Sequence, residues 1–88
     1  AINAYQSALL EWTQEKSPMT WAMTAANLAI AQKSLAERLG DAGTAGLALS
    51  SFEAVAEVFR GASHARYYQF ATEQIAKTRT LLDSLAAS

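Results

Sequence analysis

The 88-residue sequence has no cysteine, one histidine, one proline and four glycines. Without cysteine there is no disulfide framework, no thiolate metal site and no thiol nucleophile. That composition suits a reducing compartment, so a cytoplasmic setting is expected. His64 has no second His or Cys to complete a metal site. No apolar run approaches the ~20 residues that cross a bilayer, and the basic, apolar, small-residue order of a secretory signal is missing. Strand-forming runs that alternate Val, Ile, Thr and aromatics are missing as well. Nor does one sign of charge dominate: seven bases against eight acids leave a formal net charge of -1. The bases, Lys16, Lys33, Arg38, Arg60, Arg66, Lys77 and Arg79, are scattered and form no stripe. A nucleic-acid footprint is therefore not expected, and neither is a membrane partner.

What is present is apolar and helical. Hydrophobic residues make up 51% of the chain, much of it alanine, which favours helix and lets helix backbones approach closely. At this length one domain is expected, near the lower limit for a self-sufficient core. Apolar residues recur at helical spacing in four segments. Over 1–16 they are Ile2, Tyr5, Ala8, Leu9 and Trp12; over 18–39 they are Trp21, Ala25, Leu28, Ala29, Leu35 and Leu39. Leu49, Phe52, Val55, Val58 and Phe59 mark a helix over 44–60, and Tyr68, Ala71, Ile75, Thr78, Leu82 and Leu85 one over 64–86. Ser17-Pro18 supplies a cap followed by a proline tolerated at the first helical position. Gly40 stands where a left-handed terminator is wanted. Asp41 or Thr44 is expected to cap the third segment, Gly61 to end it, and Ser63 to cap the fourth. The opening at Ala1, without methionine and already helix-like, is expected of a piece of a longer or processed protein.

An internal repeat runs through these segments. The offset that carries Ala1 to Ala48, 47 positions, also carries Tyr5 to Phe52, Ala8 to Val55, Trp12 to Phe59, Trp21 to Tyr68, Met23 to Phe70, Asn27 to Gln74, Leu28 to Ile75 and Leu35 to Leu82. Aromatic falls on aromatic at three of these pairs, and no gap is needed. The chain therefore reads as two copies of a helix pair, each unable to bury its apolar face alone.

The same residues resemble the tetratricopeptide repeat. Ala1, Tyr5 and Ala8, repeated as Ala48, Phe52 and Val55, are similar to the second helix of that repeat. Asn27-Leu28-Ala29-Ile30-Ala31 resembles the Asn-Leu-Gly-x-Ala stretch of its first helix, and Gly40-Asp41 its turn. The string from Trp21 to Leu28 resembles the Trp-Ala-x-Thr-x-x-Asn-Leu phrase of a long-helix bacterial subgroup. The period departs from the family, at 47 residues against about 34 in the standard repeat. The last helix also keeps Ile75 and Ala76 but loses the Asn-Leu-Gly phrasing. The resemblance implies an all-α fold of antiparallel helical hairpins, about four helices stacked as a superhelix in one domain over 1–88. Segment 1–16 would be the second helix of a preceding repeat, 18–61 one full repeat, and 64–86 a closing or capping helix.

Few residues suggest chemistry. No Gly-x-Ser-x-Gly elbow occurs, and the glycines near the 40–46 turn follow no strand and precede no Gly-Lys-Ser/Thr. Glu53 and Glu57, four apart, can form an acid pair but suit a solvated helix face, and Glu73 with Lys77 suits an exposed ion pair. Trp12 and Trp21 flank the Ser17-Pro18 turn and are expected in the hairpin core; Tyr68 is expected inward and Tyr67 at the surface. No enzyme, cofactor or metal is expected. The resemblance implies a groove lined by first-type helices: Met23, Ala26, Asn27, Ile30, Lys33 and Ser34, with Phe70, Glu73, Gln74 and Lys77. In such a groove the apolar members would hold a protein or peptide partner while Asn27, Gln74, Lys33 and Lys77 bind its main chain or an acidic terminus. A scaffold for protein–protein interaction is the expected function. The alternative is a structural or oligomerising segment of a larger repeat protein, and a homo-oligomer is then possible.

Overall fold

Alanine-rich, helix-periodic sequence gives helices throughout the structure, a computed structural model that describes residues 17–87. The helix expected over 1–16 lies outside the described residues. Among the described residues three helices follow one another: α1 (Pro18–Leu39), α2 (Ala42–Gly61) and α3 (Ala65–Ala87). Among the described residues there is no strand. Helix α2 packs against both α1 and α3, while α1 and α3 touch each other only slightly. Pro18 and Ala65, the first residues of α1 and α3, stand 47 positions apart, the offset of the sequence repeat.

Small side chains allow this packing. Ala22, Ala29, Ala36, Ala45, Ala48 and Ala71 are fully buried, and with them the larger Phe52 and Val55. One core cluster joins Ala22, Ala25 and Ala26 of α1, Val55, Ala56, Val58 and Phe59 of α2, and Ala71 of α3. Met19 and Trp21 pack on it from α1. A second cluster joins Ala29 to Ala48 and Phe52. Ile75 of α3 touches both clusters and ties the third helix to the first hairpin. Thr78 is buried without an orphaned hydroxyl, because Oγ1 donates back to the Gln74 carbonyl at 2.6 Å. Among the described residues, the one buried side-chain polar atom without a partner is Gln32 Oε1.

The helix ends differ from the sequence reading in instructive ways. Ser17 precedes α1, and its carbonyl accepts from Trp21 N at 2.8 Å, but its side chain makes no capping bond. Gly40 takes φ 65°, and both Gly40 N and Asp41 N donate to the Ala36 carbonyl. That is the left-handed close in which a β-carbon is costly. Asp41 is the cap of α2: Oδ1 accepts from Gly43 N at 3.1 Å and Oδ2 from Thr44 Oγ1 at 2.6 Å. Those donors hold its carboxyl below its ordinary value of 3.8, the Thr44 hydroxyl having the larger effect and the Gly43 amide the next. So α2 begins at Ala42, not 44, and Thr44 serves the cap instead of forming it.

Gly61 ends α2 as expected, without taking a left-handed backbone. That conformation falls on Ser63, at φ 60°. Ser63 N donates to the Arg60 carbonyl and His64 N to the Phe59 carbonyl, the paired closing bonds of a Schellman turn. Ser63 thus closes α2, whereas capping of α3 was expected of it.

Helix α3 also departs from its repeat partner. Positions matched to buried Ala22 and Ala29 of α1 are the exposed Gln69 and Ala76. Only Ala71 and Thr78 are buried in α3. Both outer helices rest on α2 and barely on each other, but the larger core cluster takes three buried residues from α1 and one, Ala71, from α3. Tyr68, matched to the half-buried Trp21, is accordingly 37% exposed where an inward side chain was expected.

Candidate functional site

Helices α1 and α3 stand side by side on α2 with a gap between them. The gap is a trough of about 350 Å³ lined by Met23, Ala26, Asn27 and Ile30 of α1, Phe59 of α2, and Arg66, Tyr67 and Phe70 of α3. Phe59 is 2% exposed and forms the floor. Tyr67 stacks on it, with ring centroids 5.2 Å apart, and the tilted His64 ring has its centroid 5.7 Å from that of Tyr67. Residues 23, 26, 27 and 30 follow the three-and-four spacing of one helix face, and 66, 67 and 70 do the same on α3. At one end Lys33 Nζ reaches Gln74 Oε1 across the gap in a long hydrogen bond of 3.5 Å, joining the two walls.

Exposure singles out this surface. Seven large hydrophobic side chains are exposed among the described residues, and four of them, Met23, Ile30, Tyr67 and Phe70, line this trough. Clustered exposed apolar groups mark contact surfaces, whereas scattered ones do not.

Of the ten residues expected in a groove, Met23, Ala26, Asn27, Ile30 and Phe70 lie together in its lining. Lys33 and Gln74 meet at its end. Ser34, Glu73 and Lys77 are exposed and are not part of the lining. The sequence reading passed over three lining residues. Phe59 belongs to the core stripe of α2 and gave no sign of a second role. Tyr67 was placed at the surface, with no partner assigned. Arg66 is one of the scattered bases of the sequence. Its spacing to Phe70, four residues on, was the available signal.

Elsewhere the chemistry is sparse. Glu57 pairs with Arg60 along α2, and Glu53 approaches Arg79 of α3 at 3.5 Å. Both pairs are largely exposed and hold little stability. No ion pair joins Glu73 to Lys77 among the described residues. No group of three or more His, Cys, Asp or Glu there is placed to hold a metal ion. Among the described residues no helix is long and apolar enough to cross a membrane. No protein-family profile, curated protein or solved structure matches this chain.

Proposed function

We propose that this chain is a protein-interaction module of the helical-hairpin kind, similar in arrangement to tetratricopeptide repeats, which binds a peptide or protein segment in the trough between α1 and α3. One observation carries the reading: four exposed large apolar side chains converge on a single trough between two helices. Leaving them in water is unfavourable by about 25 cal/mol per Å², and a partner's apolar side chain removes that exposure. Asn27 adds an amide that can bond a partner's main chain at the same place. The scarcity of grouped acids, bases and nucleophiles favours binding over catalysis.

The test is selection of binders from a displayed random-peptide library, followed by mapping of their footprint by amide chemical shifts. Selected peptides are expected to move the amides of Met23, Ile30, Tyr67 and Phe70, and to lose binding to Ile30→Gln. Footprints confined to other surfaces would overturn the reading.

A second reading rests on Leu39 and Leu47, which are 66% and 58% exposed on either side of the Gly40 turn. Such side chains suit contact with a further copy of the chain or with the rest of a larger assembly. Concentration-dependent light scattering that disappears in the Leu39→Glu, Leu47→Glu variant would favour it.

A further inference from the structure

The walls of the trough carry one charge. From Pro18 to Gln32, α1 has no ionised side chain. From Ala65 to Thr72, α3 has Arg66 alone. The floor is Phe59. Lys33, at the far end, is turned to the Gln74 amide. Arg66 is itself exposed and has no ion-pair or hydrogen-bond partner among the described residues. An apolar trough with a single free guanidinium on its rim has a defined complement: an apolar group with a carboxylate close by. The guanidinium fork matches a carboxylate by two parallel hydrogen bonds.

Size and shape fix the rest. At about 350 Å³ the trough lies near the lower bound of ligand sites, roughly 300 Å³, and holds one large side chain. Its aromatic residues, Phe59, Tyr67 and Phe70, favour a ring, which gains from offset or edge contact. The wall from Met23 to Ile30 is about 10 Å long at the helical rise of ~1.5 Å per residue, so an extended chain crosses it in about three residues. The walls are 36–49% exposed at Met23, Ile30, Tyr67 and Phe70. That leaves the trough too open to bury most of a free small molecule, as small-molecule sites do, and leaves room for a main chain to pass over it.

We infer that the trough recognises a peptide segment through one aromatic side chain seated on Phe59, Tyr67 and Phe70, with an Asp or Glu carboxylate one or two residues away paired to Arg66. This rests on the groove reading above and adds the partner's chemistry to it.

The test uses two capped synthetic peptides that differ at one position. Each has a single phenylalanine next to glutamate in one and glutamine in the other, and each is titrated into the labelled chain by amide chemical shifts. The glutamate peptide is expected to move the amides of Met23, Ile30, Tyr67 and Phe70 and to bind about tenfold more tightly than the glutamine peptide, the scale of one charge-assisted contact. Arg66→Gln is expected to abolish that difference by weakening the glutamate peptide about tenfold. Circular dichroism checks that this exposed substitution leaves the fold intact. Equal binding of the two peptides at the trough would overturn the role of Arg66 and leave the groove reading standing. No shift at the trough with either peptide would overturn the aromatic anchor and count against the groove itself. Binding of free 3-phenylpropionate as tight as that of the glutamate peptide would overturn the assignment to a peptide segment.

Discussion

At the residue scale, the turns depend on which positions need a left-handed backbone. Gly40 does, at φ 65°, and nothing lies within 4 Å of where its β-carbon would be. The cost of a side chain there is therefore conformational and not steric. Gly46 sits inside α2 with a helical backbone and equally open space. Adding a β-carbon relieves its unfolded-state entropy without strain. We expect Gly40→Ala to lower stability by about 1 kcal/mol and Gly46→Ala to raise it by about 0.5–1 kcal/mol, read as opposite shifts of the urea midpoint. The sequence made Gly40 legible because glycine marks the left-handed position so strongly. It misled at Ser63 for the same reason: a serine carries the φ of 60°, and residue type alone gives no hint of it. The Asp41 cap was legible as one of two candidates. What separates it from Thr44 is that the carboxylate accepts two hydrogen bonds, one of them from Thr44 itself.

At the scale of the element, the helices were legible because 3.6-residue periodicity survives in α1, α2 and α3 alike, and because glycine and proline stay out of most of their interiors. The burial of each helix was less legible. Repeat matching treats Trp21 and Tyr68, or Ala29 and Ala76, as equivalent. Packing makes them unequal: Ala29 is fully buried against Ala48 and Phe52, whereas Ala76 is exposed. Pattern within a helix reports which residues share a face and not how many neighbours cover that face. The consequence is dynamic. With only Ala71 and Thr78 buried, and Ala71, Ile75 and the Tyr67 ring tying it to the core, α3 has the least to lose on opening. Sub-global opening follows local burial. Hydrogen exchange is expected to show α3 amides exchanging faster than those of α2 around Phe52 and Val55. Equal protection of the two helices would mean that α3 is covered in solution by something besides α2.

At the scale of the molecule, the two outer helices are separated enough by α2 to leave an apolar trough between them. Half of the expected groove residues fall in it because residues on one helix face stay together whatever the neighbouring helix does. The expected cations did not, since Lys33 reaches Gln74 and Lys77 lies beyond the lining. The cation that does line the trough, Arg66, stands one turn before Phe70. Its spacing to Phe70 puts both on one face of α3, but the relative placement of α1 and α3 makes that face a wall of the trough, and that placement is not written in the periodicity of either helix.

The central claim is that this trough is open, an apolar surface awaiting a partner and not a seam already filled. The most direct measurement is the thermal unfolding of Ile30→Gln, since Ile30 lies on the α1 wall and is 41% exposed. Glutamine is at least as good a helix former as isoleucine. With the trough open, unfolding is expected to stay within about 1 kcal/mol of the parent, as at other exposed sites. A loss of about 3 kcal/mol or more, the cost of placing a polar side chain in a packed core, would contradict the claim and show that Ile30 is covered in solution.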